Sequence, residues 1–582
     1  MATEHLLEEF PPVSRAAWES TIARDLKGAD YEKKLIWRSD EGLVIKPYYR
    51  AEDLNGLACL DAAPGEFPYR RGVGASGDWQ IREEIDAADP KEANVAAHAA
   101  VGAGAEGIAF SNALVKSGAE LELLLAGLDE TPVHVENANE NLIRTLLERL
   151  IRRSRAAETS TGFDALANVD FTVEVIAAST AGFVPFTIRA DKFEEAGATV
   201  VEEIGFALAA GADFLTAMQE RGLDVRRAAA AVEFCFAIGA NYFFEIAKLR
   251  AFRLTWARVL ESFGVAGEGA DARIAARTSR WNETVYDPHV NILRGTTEAM
   301  AAILGGADSV TVAPFDECYR QPDEASRRLA RNTQLLLKHE AAFGRVADVA
   351  GGSYYVEVLT DAFAHDGWKR MQEIEALGGY RKARADGTIA QILEHGMAAR
   401  EKAVAGRRRV LVGTNQFANQ AEQALERVDE QRMHEARRGA RTHEDLRLRT
   451  EKHVSAGGKR PRVVFAEVGD LKMRMARSTF ASNFFACGGF EIETRQFEWP
   501  AEIAAADGDL IVLCSSDAGY AELVAKLMPA MKELGRSTPV IVAGNPENAD
   551  ELAAAGIADF VHVRSNPVEM LTEWQERLGV KG

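Results

Sequence analysis

Cysteine is scarce in this chain of 582 residues. Its five cysteines, Cys59, Cys235, Cys318, Cys487 and Cys514, are far apart, odd in number and form no CxxC pair. That pattern excludes a disulfide framework and a thiolate zinc site, and it fits buried thiols in a reducing compartment. Long apolar runs are missing too, since none approaches the ~20 residues that a helical membrane span needs. Positive charge is in deficit: 68 Lys plus Arg stand against 88 Asp plus Glu, a formal net charge of −20. An acidic surface repels phosphate backbones, so nucleic acid is excluded as a natural partner, although a few local cations can still hold one anionic ligand. The first residues, MATEHLLEEF, show neither the apolar core of a secretory signal nor the Arg- and Ser-rich texture of a transit peptide. The expectation is a soluble, cytoplasmic protein with no membrane partner.

Self-evident catalytic motifs are lacking as well. The eleven histidines are scattered, and no His/Cys/carboxylate cluster has metal-ligand spacing. His339 beside Glu340 has no second histidine at zincin spacing, and His289 in YDPHVN reads as a loop or helix-cap residue. There is no P-loop and no GxSxG. Gly72, Gly74 and Gly77 match GxGxxG, but the preceding GEFPYRR is not an apolar strand and no βαβ unit follows. Without that context the motif is a turn-rich loop rather than a dinucleotide site.

What the chain does contain is alternation. Short apolar runs recur from about Gly104 onwards: GIAFS, TPVHVEN, DFTVEVIAA, PFTIRA, VEFCFAIGA, ARIAART and DSVTVAP. Ala-rich stretches with helical spacing, such as AGATVVEEIGFALAAG and GTTEAMAAILGG, lie between several of them. So many strand–helix units in succession predict a closed (β/α)₈ barrel, followed by helices to about Val404. Residues 421–460 are dense in charge and read as a charged helix leading into a linker. From about Arg460 a second alternation begins (PRVVFAEV, FEIETRQFE, DLIVLCSSD, PVIVAGNP and DFVHV, with helices between), which predicts a small flavodoxin-like, Rossmann-like parallel sheet. Ligands of such sheets sit at strand C-terminal ends, here the loops Gly469–Met475, Cys514–Ser516 and Ala543–Pro546. The expected division is 1–66, an N-terminal segment; 67–405, the barrel; 406–459, a charged helical linker; and 460–582, the second domain.

Four long stretches carry a resemblance: GANYFFEIAKLRAFRLTW (239–256), ARTSRWNETVYDPHVNILRGTTEAMAAILGG (276–306), RLARNTQLLL (328–337) and VADVAGGSYYVEVLT (346–360). In this order they resemble the adenosylcobalamin-dependent acyl-CoA mutases, a family whose best-known reaction interconverts methylmalonyl-CoA and succinyl-CoA. The resemblance implies a barrel that threads the acyl-CoA through its centre, capped by a cobalamin-binding domain.

The residues that this family's chemistry requires are replaced. Active members carry a tyrosine after WTIRQ, where WQIREE places Glu84. Their tyrosine–histidine pair before QEAG is Asp191–Lys192 in ADKFEEAG, and the glutamine of CQTSG is Arg277 in ARTSR. HTNSFDE becomes TVAPFDE, from Thr311. Glu84 sets a negative charge where a substrate carboxylate is expected, and the Lys192 ammonium would demand a partner in a dry pocket. These changes imply a barrel filled or closed rather than a tunnel. The DxHxxG loop that ligates cobalt reads GDLKMRMARS, a degenerate loop from Gly469 with Met473 or Arg474 at the ligand position. Neither side chain reproduces an imidazole ligand.

Heterodimeric members of the family pair a catalytic large subunit with a smaller paralogue that has lost both sites, and this chain resembles the small one. The resemblance then implies no catalytic, cofactor or metal residues here, with adenosylcobalamin bound by the large subunit. Two alternatives stay open. One is a self-sufficient mutase that reads a different acyl group through Lys192 and Arg277. The other is a platform that docks a cobalamin-loading GTPase chaperone through the charged segment.

Overall fold

Polar, inward-facing side chains and apolar, outward-facing ones alternate along strands that close into a parallel barrel. A computed structural model describes residues 13–152, 157–422 and 428–581. The acidic first residues, read above for the absence of a leader, and residues 423–427 of the charged segment lie outside the described residues.

The barrel strands are β1 (Gln80–Ile85), β2 (Gly107–Phe110), β3 (Val133–Val135), β4 (Thr159–Thr161), β5 (Phe183–Val184 with Phe186–Arg189), β6 (Val232–Ile238), β7 (Ile274–Thr278) and β8 (Ser309–Thr311). Nine hydrogen-bonded segments make the sheet, two of them the halves of β5 on either side of Pro185, so the barrel has eight strands. Proline has no N–H to give the ladder. Phe183–Val184 therefore pair with β4, and Phe186–Arg189 with β6. Ser309 opposite Gln80 joins β8 to β1 and closes the ring. The outer layer buries one continuous apolar core in which Ile81, Ile108, Phe234 and Trp256 are almost wholly hidden.

Four elements differ from the sequence expectation. DFTVEVIAA is a helix, Val169–Ala178, and not a strand. Asn168 accepts a hydrogen bond from the Phe171 N–H at 3.2 Å, and Phe171, Thr172, Val175 and Ile176 bury one helical face, so cap and spacing outweigh β propensity. Conversely, β1 and β4 are strands that carry no apolar run. Ile81 and Ile85 of β1 face the helices, while Arg82 and Glu84 line the interior. The charged segment is two helices, Glu430–Glu435 and Arg441–Ser455. It is no solvated face: Glu444 accepts from the Val285 N–H at 2.6 Å, and Glu451 from the Tyr286 hydroxyl at 2.9 Å. The same helix meets the second domain, where Thr450 donates to the Gly488 carbonyl at 2.6 Å and Gln575 donates to the Leu446 carbonyl at 2.6 Å.

The second domain is a parallel sheet of β9 (Arg462–Glu467), β10 (Glu491–Gln496), β11 (Leu510–Cys514), β12 (Val540–Ala543) and β13 (Asp559–Val561), in the order β10-β9-β11-β12-β13. This is the flavodoxin-like order expected from the sequence. At the other end of the chain, the helix Arg15–Asp25 buries none of its residues. Trp37 stacks on Phe244 of the barrel at 5.2 Å, and Tyr49 meets Tyr355 at 5.0 Å. All five cysteines are free thiols, and no helix among the described residues is long and apolar enough to cross a membrane.

One turn sets the position of the barrel's C-terminal face. Gly197, in EEAG, has φ +116°, and a Cβ there would lie 2.4 Å from the Leu393 carbonyl oxygen and 2.5 Å from the Met397 nitrogen. The helix Thr388–Ala405 therefore rests directly on this glycine. Gly197→Ala is expected to cost about 1–3 kcal/mol through overpacking and backbone strain. Denaturant unfolding checks this, and an unchanged midpoint contradicts the close approach.

Candidate functional site

The barrel interior is filled by charge. Arg82 and Glu84 of β1, His134 of β3, Arg189 at the end of β5, Glu233 and Cys235 of β6, and Arg277 of β7 surround one small space. Arg277 donates to Glu84 at 2.8 Å, so two of the substituted family positions complement each other across the barrel. Arg280 lies 3.8 Å from the other Glu84 oxygen and 2.7 Å from Glu317. Asp191, fully buried, accepts from Arg189 at 2.7 Å, and Arg189 also pairs with Glu136. His134 bridges onward: one ring nitrogen is 3.2 Å from Glu136, and the other is 3.2 Å from Glu233 and 2.8 Å from Ser160. Arg82, 3.8 Å from Glu233, completes the series.

These pairs set the protonation states. Burial pushes the Glu84 carboxyl up, but Arg277 and then Arg280 outweigh it and hold it at about 2. The same contest leaves Asp191 at about 2 against Arg189, and Glu233 at about 2 against Arg82 and His134. Burial lowers His134, and the nearby arginines lower it further against the pull of Glu233. Burial, with Asp191 second, pushes the Cys235 thiol up to about 12, which leaves it an unreactive thiol. The remaining interior cavity is about 30 Å³. That is room for about two waters, far below the ~300 Å³ at which small-molecule sites begin.

Lys192 is elsewhere. Its side chain is half-exposed and its ammonium pairs with Glu195 at 2.7 Å, so the expected ammonium in a dry pocket is corrected: helix Ala190–Glu195 turns Asp191 inward and Lys192 out. Sequence comparison found Glu84, Asp191 and Arg277 but missed Arg82, Glu136, His134, Arg189 and Glu233. Their signal is polar residues two positions apart, as in Arg82–Glu84, His134–Glu136, Arg189–Asp191 and Glu233–Cys235.

In the second domain the strand ends hold a different arrangement. The helix Leu471–Ala486 begins immediately after Asp470, whose carboxylate accepts from the Met473 N–H at 2.9 Å. The expected Gly469–Met475 loop is thereby shortened, and Met473 and Arg474 lie in the first helical turns. The cap explains this, because Asp470 supplies the acceptor that starts the helix. Arg474 donates to the Gly469 carbonyl at 3.2 Å and to Gln496 at 3.0 Å. Arg477 donates to Asp517 at 2.8 Å, and its guanidinium would lie 3.1 Å from a Cβ at Gly544. Two arginines thus lie across the ends of β9, β11 and β12.

The Glu84–Arg277 pair has a pH signature. The Glu84 carboxyl lies at about 2 against its ordinary 4.5, so the fold favours the ionised form. Its stabilisation is complete above pH 4.5 and is lost as pH falls towards 2. Glu84→Gln is expected to cost about 3 kcal/mol at neutral pH, because it strands a buried guanidinium. The gap to the unmodified chain should close below pH 4.5. Unfolding curves across pH read both effects, and a gap independent of pH contradicts the pairing.

Known proteins are similar to this chain over nearly its whole length. The family model described as methylmalonyl-CoA mutase matches residues 38–115 and 149–456. The chain is 37% identical to the methylmalonyl-CoA mutase small subunit of Porphyromonas gingivalis, covering 99% of each sequence. It is 34% identical to the small subunit of Streptomyces virginiae, covering 99% of this chain and 98% of that one. To the methylmalonyl-CoA mutase of Rhizobium meliloti it is 29% identical, over 70% of this chain and 64% of the relative. On this evidence the chain belongs to the methylmalonyl-CoA mutase family.

Proposed function

We propose that this chain is the non-catalytic small subunit of a heterodimeric, adenosylcobalamin-dependent methylmalonyl-CoA mutase, and that it stabilises the catalytic large subunit. The observation that carries the reading is the Glu84–Arg277 ion pair, which stands where an acyl-CoA would need an open, substrate-binding interior. A cavity of about 30 Å³ does not admit a thioester with its pantetheine arm. Glu84, Asp191 and Arg277 are each bound by charged neighbours within the barrel and offer no group aimed at a ligand there. A barrel of this kind contributes a rigid surface, and a surface that binds only the folded partner stabilises it by mass action.

Cobalamin does not suit the residues at the second domain's strand ends. Met473 and Arg474 sit in a capped helix, Arg474 is committed to Gly469 and Gln496, and no imidazole is present in GDLKMRMARS. A thioether or guanidinium cannot replace a histidine held by a carboxylate. In this reading the large subunit holds adenosylcobalamin, which supplies the radical that starts the isomerisation. The present chain keeps its second domain for packing. Its segment 1–66, with an outer helix that buries nothing of its own, contributes contacts to the partner. The charged segment favours a chaperone dock less, since Glu444, Arg447 and Glu451 are spent on bonds inside the chain.

Titration of the purified chain with adenosylcobalamin, followed by visible absorbance, tests the proposal. No spectral change is expected with the chain alone, and one cobalamin per heterodimer with turnover is expected once the large subunit is added. Stoichiometric binding by the isolated chain overturns it. Restoring three family residues together (Glu84→Tyr, Lys192→His and Arg277→Gln) should still give no turnover by this chain on its own, because neither the tunnel nor the cobalt ligand is restored. Turnover by that variant would favour the self-sufficient enzyme.

A further inference from the structure

A second cavity opens beside the barrel mouth, separate from the ion-filled interior. It measures about 400 Å³ and lies against the top of β5, between the turn after β4 and the helices Tyr380–Ala385 and Thr388–Ala405. That volume is within the range of sites for small organic molecules. The wall exists because Pro185 interrupts β5, leaving Phe186–Arg189 paired with β6 rather than with β4.

The lining divides by chemistry. Phe193, Phe214, Ile389 and Leu393 supply the body of the cavity, with Phe214 wholly buried beneath it. The charged groups are three cations, Arg189, Lys192 and Arg384, against one acid, Asp164. Arg189 is committed to Asp191 and Glu136. Lys192 and Arg384 are different. Lys192 pairs with Glu195 at 2.7 Å and Arg384 with Asp164 at 2.9 Å, but in both pairs the cation is about half exposed. Exposed ion pairs hold their partners weakly, so either cation can exchange its carboxylate for that of an entering ligand.

We propose that this cavity binds a small amphipathic carboxylate, its acyl tail on Phe193 and Phe214 and its head between Lys192 and Arg384. A guanidinium accepts a carboxylate in a two-pronged, planar pairing that a neutral head cannot form. Apolar burial supplies affinity for the tail, and the two half-exposed cations, Lys192 and Arg384, select the charge of the head. Another cleft, of about 610 Å³ on the barrel's flank, does not suit the same ligand. Glu83, Asp89, Glu92 and Glu324 outnumber its basic residues, so an anion is repelled. The proposal goes beyond the subunit reading and needs no partner chain.

The test is isothermal titration of the purified full chain with octanoate and with octanamide, its neutral counterpart. One equivalent of octanoate should bind, at least tenfold more tightly than octanamide. The double variant Lys192→Gln, Arg384→Gln should bring octanoate down to the octanamide level and leave octanamide unchanged. Ala390 is exposed at the cavity wall, so Ala390→Trp should obstruct both ligands without disturbing the core. Unchanged unfolding midpoints certify the variants, and the octanoate–octanamide comparison stands on the unmodified chain if one of them fails to fold. Absence of saturable octanoate binding at millimolar concentration overturns the proposal. Equal affinity for the two ligands, or octanoate binding indifferent to Ala390→Trp, overturns it too. Neither variant touches Glu84 or Arg277, so such a failure leaves the subunit reading intact.

Discussion

The ion pair between Glu84 and Arg277 is the constraint around which the barrel interior is organised. Either charge alone, in a space that holds about two waters, would be desolvated without compensation. Together they neutralise each other, and Arg280, Glu317, Asp191, Arg189, Glu136, His134 and Glu233 extend the exchange around the ring. On the proposed reading the network gives a reason for the family positions to change as a set: a glutamate at position 84 needs a cation facing it, and Arg277 is that cation. Buried ion pairs are weak evidence of stability, since apolar residues of the same volume often do as well. Their cost falls mainly on any change that removes one partner.

From that interior the rest follows in layers. On the proposed reading, a filled barrel leaves its outer helices to serve contact with the partner. The helix Arg441–Ser455 ties it to the second domain: Glu444 and Glu451 are bound to Val285 and Tyr286 of the barrel, and Thr450 to Gly488. At the second domain's strand ends the same replacement recurs: Arg474 and Arg477 satisfy themselves on neighbouring carbonyls and carboxylates, in a place where open loops would be needed to hold a large ligand. On the proposed reading, ion pairs and hydrogen bonds within the chain take the place of ligand contacts in both domains.

The sequence revealed the apolar strands and missed the polar ones. GIAFS, VEFCFAIGA and DSVTVAP carry enough buried apolar surface to announce themselves. QIREEI and TST do not, because their inward faces meet other charges and hydroxyls rather than a greasy core. DFTVEVIAA misled for the opposite reason: β-branched residues suggested a strand, whereas the Asn168 cap and the spacing of Phe171 and Val175 dictated a helix. At the site, Glu84 and Arg277 were each visible as substitutions. Their pairing was not, since 193 residues separate them and only ring closure brings β1 near β7. The outward turn of Lys192 was equally illegible, because it depends on where a short helix starts. In the second domain, strand order was legible from alternation, but the helix beginning at Leu471 depends on one capping carboxylate.

The central claim is that self-complementary charge has closed the barrel to its family's substrate. Calorimetric titration of the isolated chain with methylmalonyl-CoA measures this most directly. The account predicts no saturable binding. One-to-one binding with micromolar affinity would mean that the Glu84–Arg277 pair opens to admit the ligand, and would contradict it.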